Sequence, residues 1–256
     1  MANNPVNEAG HFVHENTTPP AHPSLLGLFS LKGKTAIVTG SGAGIGLAVA
    51  NGLAEAGANV AMWYNTNTKC PDRAAEIAQK YGVQSMMMIP LTLSENELNR
   101  GIRANAIPAK AYQCDITDAS AVQKTVDQSV KDFNGRLDVF IANAGVPWTE
   151  GPMVDGPLRH YTKVVGIDLD GTFYCARAAA AHWKRQKEQG TDLNGKPLQN
   201  FSYGSFVATA SMSGHIVNFP QMQAAYNAAK SGVIHLCKLC WNTTSYFDES
   251  DTLMDM

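Results

Sequence analysis

From Leu31 onward, apolar positions switch repeatedly between a period of two and a period near 3.6. Thr35–Thr39 (TAIVT) is a short β-branched run, the pattern of a strand. Ile45–Ala56 is rich in Ala and Leu and stops at Gly57, so it predicts a helix with a glycine end. Asn59–Tyr64 predicts a second strand, and Pro71–Tyr81 a second helix with proline in its first turn. Lys110–Cys114 reads as a third strand. Asp118–Phe133 carries Val122, Val126, Val130 and Phe133 at helical spacing. Leu137–Ala142 (LDVFIA) is almost unbroken apolar sequence, as expected of a strand covered on both faces. A long helix follows over Tyr161–Lys184, then a strand over Gly204–Ala210 and a helix over Gln223–Cys240. Strands alternating with helices require crossover connections. The expected fold is therefore α/β, a Rossmann-like doubly wound parallel sheet in a single domain.

Two segments interrupt this rhythm. Met86–Ala109 places 24 residues, two of them proline, between a helix and the next strand. Connections of that kind usually take two to about six residues. Gln186–Tyr203 is polar and contains glycine, and reads as a surface loop. Residues 1–23, rich in Asn, His and Pro, read as a flexible arm. The expected division is an arm over 1–30 and a folded domain over 31–256.

Composition narrows the class. Of the 256 residues, 45% are hydrophobic and 16% charged, which suits a soluble globular domain. A formal net charge of −2 gives no basic surface for nucleic acid or an anionic membrane. No run approaches the ~18 apolar residues of a membrane span. The five cysteines, Cys70, Cys114, Cys175, Cys237 and Cys240, form no spaced framework. An odd number without a secretory leader points to reduced thiols and a cytoplasmic location. Cys237-Lys-Leu-Cys240 lacks a second ligand pair, so no metal is expected.

Chemistry enters at Thr39–Gly46 (TGSGAGIG), between the first strand and the first helix. The G-x-G-x-x-G pattern fails, because Ile45 stands where the third glycine belongs. The spacing is instead Gly40, Gly44, Gly46, with Gly42 extra. Gly40 permits a tight turn, Gly44 leaves room where the backbone nears a pyrophosphate, and Gly46 lets helix and strand pack closely. The helix start then presents unpaired N–H groups to the phosphates. Gly40, Ser41, Gly42, Gly44, Ile45 and Gly46 are the candidate cofactor-binding residues here. No carboxylate occurs between Glu55 and Asp72, where an NAD-binding acid would sit. Asn65, Thr66 and Lys69 can receive a 2′-phosphate, so NADP(H) is expected. Lys69 also reads as an ordinary surface charge.

Tyr226-Asn-Ala-Ala-Lys230 puts a phenol and an ammonium at i and i+4, on one helix face. A phenol with a pKa near 10 is a poor base at neutral pH, and a neighbouring cation stabilises its ionised form. The spacing is common by chance. It gains weight from following the glycine turn.

Together these motifs resemble the short-chain dehydrogenase/reductase family. They are Thr39–Gly46, Ala142-Asn143-Ala144-Gly145, the serine strand Ala208–Gly214, and Tyr226–Lys230. The resemblance covers about Leu31–Lys238 except the 24-residue segment. Trp63-Tyr64-Asn65, Ser211–Ile216 and Asn218–Gln221 are more narrowly similar to fungal NADP-dependent mannitol dehydrogenases, sorbose reductases and carbonyl reductases. The resemblance implies that Tyr226 is the general acid/base and that Lys230 eases its ionisation and holds the nicotinamide ribose. It implies that Asn143, Ala144 and Gly145 support the cofactor and that Asp115 lies near the adenine. A serine would polarise the carbonyl. The S-x-x-G pattern selects Ser211, 15 residues before Tyr226, over Ser213 at the commoner spacing of 13. The family's helix asparagine, part of a proton relay, matches Asp168 here. Its blander reading is a polar helix residue. The implied substrates are small carbonyl/alcohol pairs, ketoses and polyols among them, and the implied assembly is a homodimer or homotetramer.

The chain departs from the family in two places. Met86–Ala109 reads as an insertion, and the tail 239–256 is too short for the last strands and substrate lid. A retained intron and an early end in the gene would produce both. A sheet lacking its last strands predicts poor stability and weak activity, and makes family-like assembly harder. The rival reading is a truncated, catalytically impaired dinucleotide-binding protein.

Overall fold

A computed structural model describes residues 26–84 and 109–245, with backbone alone for 26, 83–84 and 239–245. Residues 1–30 and 31–256 form separate units. Of the first, a 3-10 turn at Leu26–Phe29 is described. The second contains five strands among its described residues: β1 (Thr35–Thr39), β2 (Asn59–Tyr64), β3 (Ala109–Gln113), β4 (Val139–Ala142) and β5 (Ser205–Ala208). All pair in parallel, in the order β3-β2-β1-β4-β5. The helices are α1 (Gly44–Glu55), α2 (Cys70–Gln84), α3 (Ala119–Asp132), α4 (Leu158–Val165), α5 (Gly171–Gln189) and α6 (Ala224–Ser245). This is the doubly wound arrangement the alternating pattern predicts.

The two faces follow from the period of a strand. In β1, Ile37 points to a core with Trp63, Phe140, Val122, Val126, Val130 and Trp183, under α3 and α5. Ala36 and Val38 point to the other core, with Val60, Met62, Ala50, Ala54 and Ile77 under α1 and α2. Trp63 meets Phe140 edge-on at 5.6 Å. At the end of the sheet where β1 and β4 begin, Asp138 accepts from Thr35 N (2.9 Å) and Arg136 Nε (2.8 Å). That carboxylate ties the first residues of β1 to the chain entering β4. Asp118 caps α3 by accepting from Ser120 N (2.8 Å) and Ala121 N (3.2 Å), which satisfies two of the N–H groups that open the helix.

Three stretches differ from the sequence expectation. Gln186 is not in a loop: α5 runs to Gln189 and ends at Gly190 with φ 64°. Its amide is fully buried and satisfies both Leu137 backbone groups, at 2.7 and 2.9 Å. That bond also explains why β4 starts two residues late, at Val139. The helix predicted over Tyr161–Lys184 is interrupted by a π-helical stretch, Gly166–Asp170. The helix predicted to Cys240 continues to Ser245, no Gly or Pro intervening. The expected insertion lies, but for Ala109, outside the described residues, as does the tail beyond Ser245. No described helix is long and apolar enough to cross a membrane.

Candidate active site

The C-terminal ends of β1 and β4 are adjacent, while the chain leaves them toward opposite faces of the sheet. Such a switch point opens a crevice. Here it is a cleft of about 380 Å³ lined by Thr39, Gly40, Gly42, Ala43, Tyr64 to Asn67, Asp115, Ile116 and Asn143 to Val146, with Lys163 and Ile167.

Its floor is the glycine turn. Gly40 and Gly44 have φ 64° and 55°, in the region that glycine enters without strain. A Cβ on Gly46 would lie 2.4 Å from Gly40 O and 2.6 Å from Asn143 Nδ2. Only hydrogen fits where α1 closes on the turn. A Cβ on Gly44 would meet no protein atom within 4 Å, so what the protein itself requires there is the backbone angle. The N-cap of α1, Ala43, supplies no side-chain bond, and the first turn carries no acid. Its leading N–H groups remain available to an anion. Ser41 is buried, its hydroxyl 3.3 Å from Trp63 O, and Ile45 is 68% exposed. Both belong to the turn without lining the cleft. Residues of this shape fit a dinucleotide pyrophosphate.

Beyond β2, Asn65 and Thr66 line the cleft and are exposed, whereas Lys69 does not line it. Asn67 Oδ1 accepts from Lys69 N at 3.0 Å, and a Cβ on Gly42 would strike the Asn67 amide. The carboxylate of Asp115 turns toward Thr117, accepting from its N (3.0 Å) and Oγ1 (2.7 Å).

The second cluster lies where α6 packs against the π-helical stretch and the Met212–Gly214 turn. Lys230 is 4% exposed; its Nζ donates to Thr209 O at 2.8 Å and stands 3.1 Å from Asp168 Oδ1. Asp168 is fully buried and accepts from Val146 N at 2.9 Å through Oδ2. Burial pushes its carboxyl above the ordinary range, against the opposing pull of the Val146 N–H and Lys230. A Cβ on Gly145 would fall 2.6 Å from Asp168 Oδ1. Lys230 Nζ lies 5.5 Å from the Tyr226 ring centroid. Tyr226 is half-buried against Trp148, Val164, Ala225 and Val146. Since Gly145 and Val146 line the cleft, this cluster adjoins it.

Asn143 joins the two regions. Its Nδ2 donates to Thr39 O (3.1 Å), its Oδ1 accepts from Thr209 Oγ1 (3.2 Å), and Thr209 O takes the Lys230 bond. Thr39 Oγ1 in turn accepts from Asn143 N and Ala144 N. Of the serines, Ser213 is 5% exposed and its Oγ accepts from Asn218 Nδ2 at 2.6 Å. Ser211 is less buried and caps the short Met212–Gly214 turn by accepting from Ser213 N at 3.1 Å. Its hydroxyl proton remains free to donate.

Thr39, Thr209, Ile116, Lys163 and Ile167 were not among the residues singled out from sequence. Thr39 opens the glycine motif and could have been included. Thr209 contributes a backbone carbonyl, which no residue pattern reveals. Lys163 reaches the cleft from α4 and Ile167 from the π-helical stretch, an irregularity that apolar spacing does not signal. Such π segments recur at functional sites.

Comparisons with known proteins agree with this geometry. A model for "short chain dehydrogenase" matches residues 34–98, and one for "Enoyl-(Acyl carrier protein) reductase" matches 93–241. An L-xylulose reductase of Hypocrea jecorina is 51% identical over 90% of this chain and 71% of its own length. A probable NADP-dependent mannitol dehydrogenase of Yarrowia lipolytica is 44% identical over 86% of this chain and 65% of its own. The chain thus spans about two thirds of these relatives. Among solved structures, an NADPH-dependent 3-quinuclidinone reductase from Rhodotorula rubra superposes with a TM-score of 0.67 at 35% identity, over 88% of this chain and 70% of that one. An NAD+-bound xylitol dehydrogenase gives 0.57 at 29%, over 82% and 64%.

Proposed function

Because this chain belongs to the short-chain dehydrogenase/reductase family, we propose that it interconverts a ketone and a secondary alcohol with NADP(H), with a ketose and its polyol as the favoured pair. The observation that carries this reading is the hydrogen-bonded path from the glycine turn through Asn143 and Thr209 to Lys230. A dinucleotide would be held along that path, its pyrophosphate by the leading N–H groups of α1 and its nicotinamide end by the residues around Tyr226 and Lys230. When bound, NADPH supplies the hydride for the carbonyl carbon.

The side chains do the rest. Ser211 donates a hydrogen bond to the carbonyl oxygen and holds it toward Tyr226. The Tyr226 hydroxyl gives that oxygen its proton in reduction and takes it back in oxidation. Lys230 stabilises the phenolate so formed and would hold the nicotinamide ribose. Asp168 fixes Lys230 from behind. Asn65 and Thr66, with no carboxylate beside them on β2, would hold an adenosine 2′-phosphate. The NADP-dependent relatives support that choice, while the NAD+-bound xylitol dehydrogenase makes it worth testing directly. The relatives' names set the substrate panel: L-xylulose, sorbose and fructose, with an aryl ketone as a broad-specificity probe.

A second reading, a dinucleotide-binding protein with impaired catalysis, draws on the apolar surface next to Ser211. Met212, Val217 and Phe219 are 64%, 81% and 85% exposed. A site so open admits water and positions substrate loosely. Following NADPH absorbance with the panel, for the parent and Tyr226→Phe, separates the two. Ketose-dependent oxidation lost by ~100-fold or more in the variant supports the enzyme. NADPH binding with no Tyr226-dependent turnover supports the second reading.

A further inference from the structure

Asp168 stands where the resemblance leads one to expect a neutral asparagine, and its surroundings give that difference a consequence. The carboxylate is 0% exposed and Lys230 4%. Asp168 Oδ2 takes the Val146 N–H, but Oδ1 takes no hydrogen bond and faces the ammonium at 3.1 Å. Gly145 is the residue that leaves room for Oδ1, since any Cβ there would meet it. The groups that close on the pair from other segments, Gly145, Val146 and Thr209, are all uncharged. On α6 itself the titratable neighbour is Tyr226. The charged residues lining the cleft, Asp115 and Lys163, are exposed, and Asp115 is turned to Thr117.

We propose that Asp168 is the fixed counter-charge of Lys230, a positioning residue that makes the couple neutral as a unit and thereby sets the pH at which Tyr226 exchanges its proton; the proposal rests on the role given above to Tyr226. A lone ammonium beside a phenol favours the phenolate. A carboxylate behind that ammonium cancels much of its field, because both lie in the same water-excluded site. The π-helical turn is what brings the carboxylate there.

The test is the pH dependence of both directions in the full chain, for the parent, Asp168→Asn and Asp168→Glu. Asparagine keeps the shape and removes the charge. The half-maximal pH of alcohol oxidation should fall by about one unit, a tenfold change in proton concentration, and ketone reduction should decline at a correspondingly lower pH. The change should appear in kcat more than in KM, and Asp168→Glu should restore most of the parent profile. An Asp168→Asn profile that is unmoved, or moved to higher pH, overturns the proposal. A second measurement needs no turnover. In infrared difference spectra at neutral pH, Lys230→Met should gain a protonated carboxyl that the parent lacks and that disappears when Asp168→Asn is added. Absence of that gain overturns the ion pair. If Tyr226→Phe retained full turnover, the role of Tyr226 would fail instead, and the infrared result would still decide the pairing.

Discussion

The glycine turn after β1 and the polar cluster around Lys230 sit at two ends of one hydrogen-bonded path, yet they are specified in different ways. The turn is set by backbone geometry: left-handed angles at Gly40 and Gly44, and a contact at Gly46 that excludes any side chain. Its information lies within eight consecutive residues. The cluster is set by tertiary contacts, with Asp168, Lys230, Val146 and Thr209 drawn from four segments. The first should therefore fail through binding, and the second through chemistry.

The largest expected effect separates them most sharply. Tyr226→Phe should lower ketose reduction by about 10²- to 10⁴-fold while NADPH titration, followed by fluorescence, stays within about twofold of the parent. Gly46→Ala should do the reverse. It forces a methyl against Gly40 O and Asn143, costing roughly 1–3 kcal/mol, and should weaken NADPH binding about tenfold or more, with residual turnover recovered at saturating cofactor. Gly44→Ala meets no protein atom and should cost the fold only the left-handed backbone, about 1–2 kcal/mol. A Gly44 variant whose fold is destabilised as much as that of the Gly46 variant would break the distinction. Asn65→Asp should sharpen it within the binding region, weakening NADPH by about tenfold while leaving NADH near its parent value. Equal losses for both cofactors would remove Asn65 from the 2′-phosphate site.

The smallest effect concerns pH and stability. Burial raises the Asp168 carboxyl above its unfolded value, so the folded chain holds that proton to higher pH. Its contribution to stability is full below the unfolded value and is lost as pH rises through the folded one. The urea midpoint of the parent minus that of Asp168→Asn should therefore be smaller at neutral pH than at about pH 4. A difference that grows with pH would contradict the sign.

How far each region was legible follows from the same contrast. The order of strands and helices could be read because buried strands such as Ile37–Val38 and Phe140–Ile141 repeat with their own period. The glycine turn could be read because only glycine satisfies its angles. Tyr226 and Lys230 could be paired because helical spacing joins them. Asp168 could be singled out only by resemblance, since a carboxylate within a helix usually faces water. Gln186 was misplaced for a related reason: a polar side chain next to a polar stretch signals a loop until its amide is seen filling both backbone bonds of Leu137. Thr209, acting through a carbonyl, left no trace in the residue pattern.

The central claim is that the turn and the cluster serve one bound nucleotide. The most direct measurement follows NADPH loss at saturating cofactor with L-xylulose, sorbose or fructose, in the parent and in Tyr226→Phe, after each has been shown to bind NADPH. The account predicts ketose-dependent NADPH oxidation by the parent and almost none by the equally well-bound variant. Equal rates in the two, or no oxidation by the parent with any ketone of the panel, would contradict it.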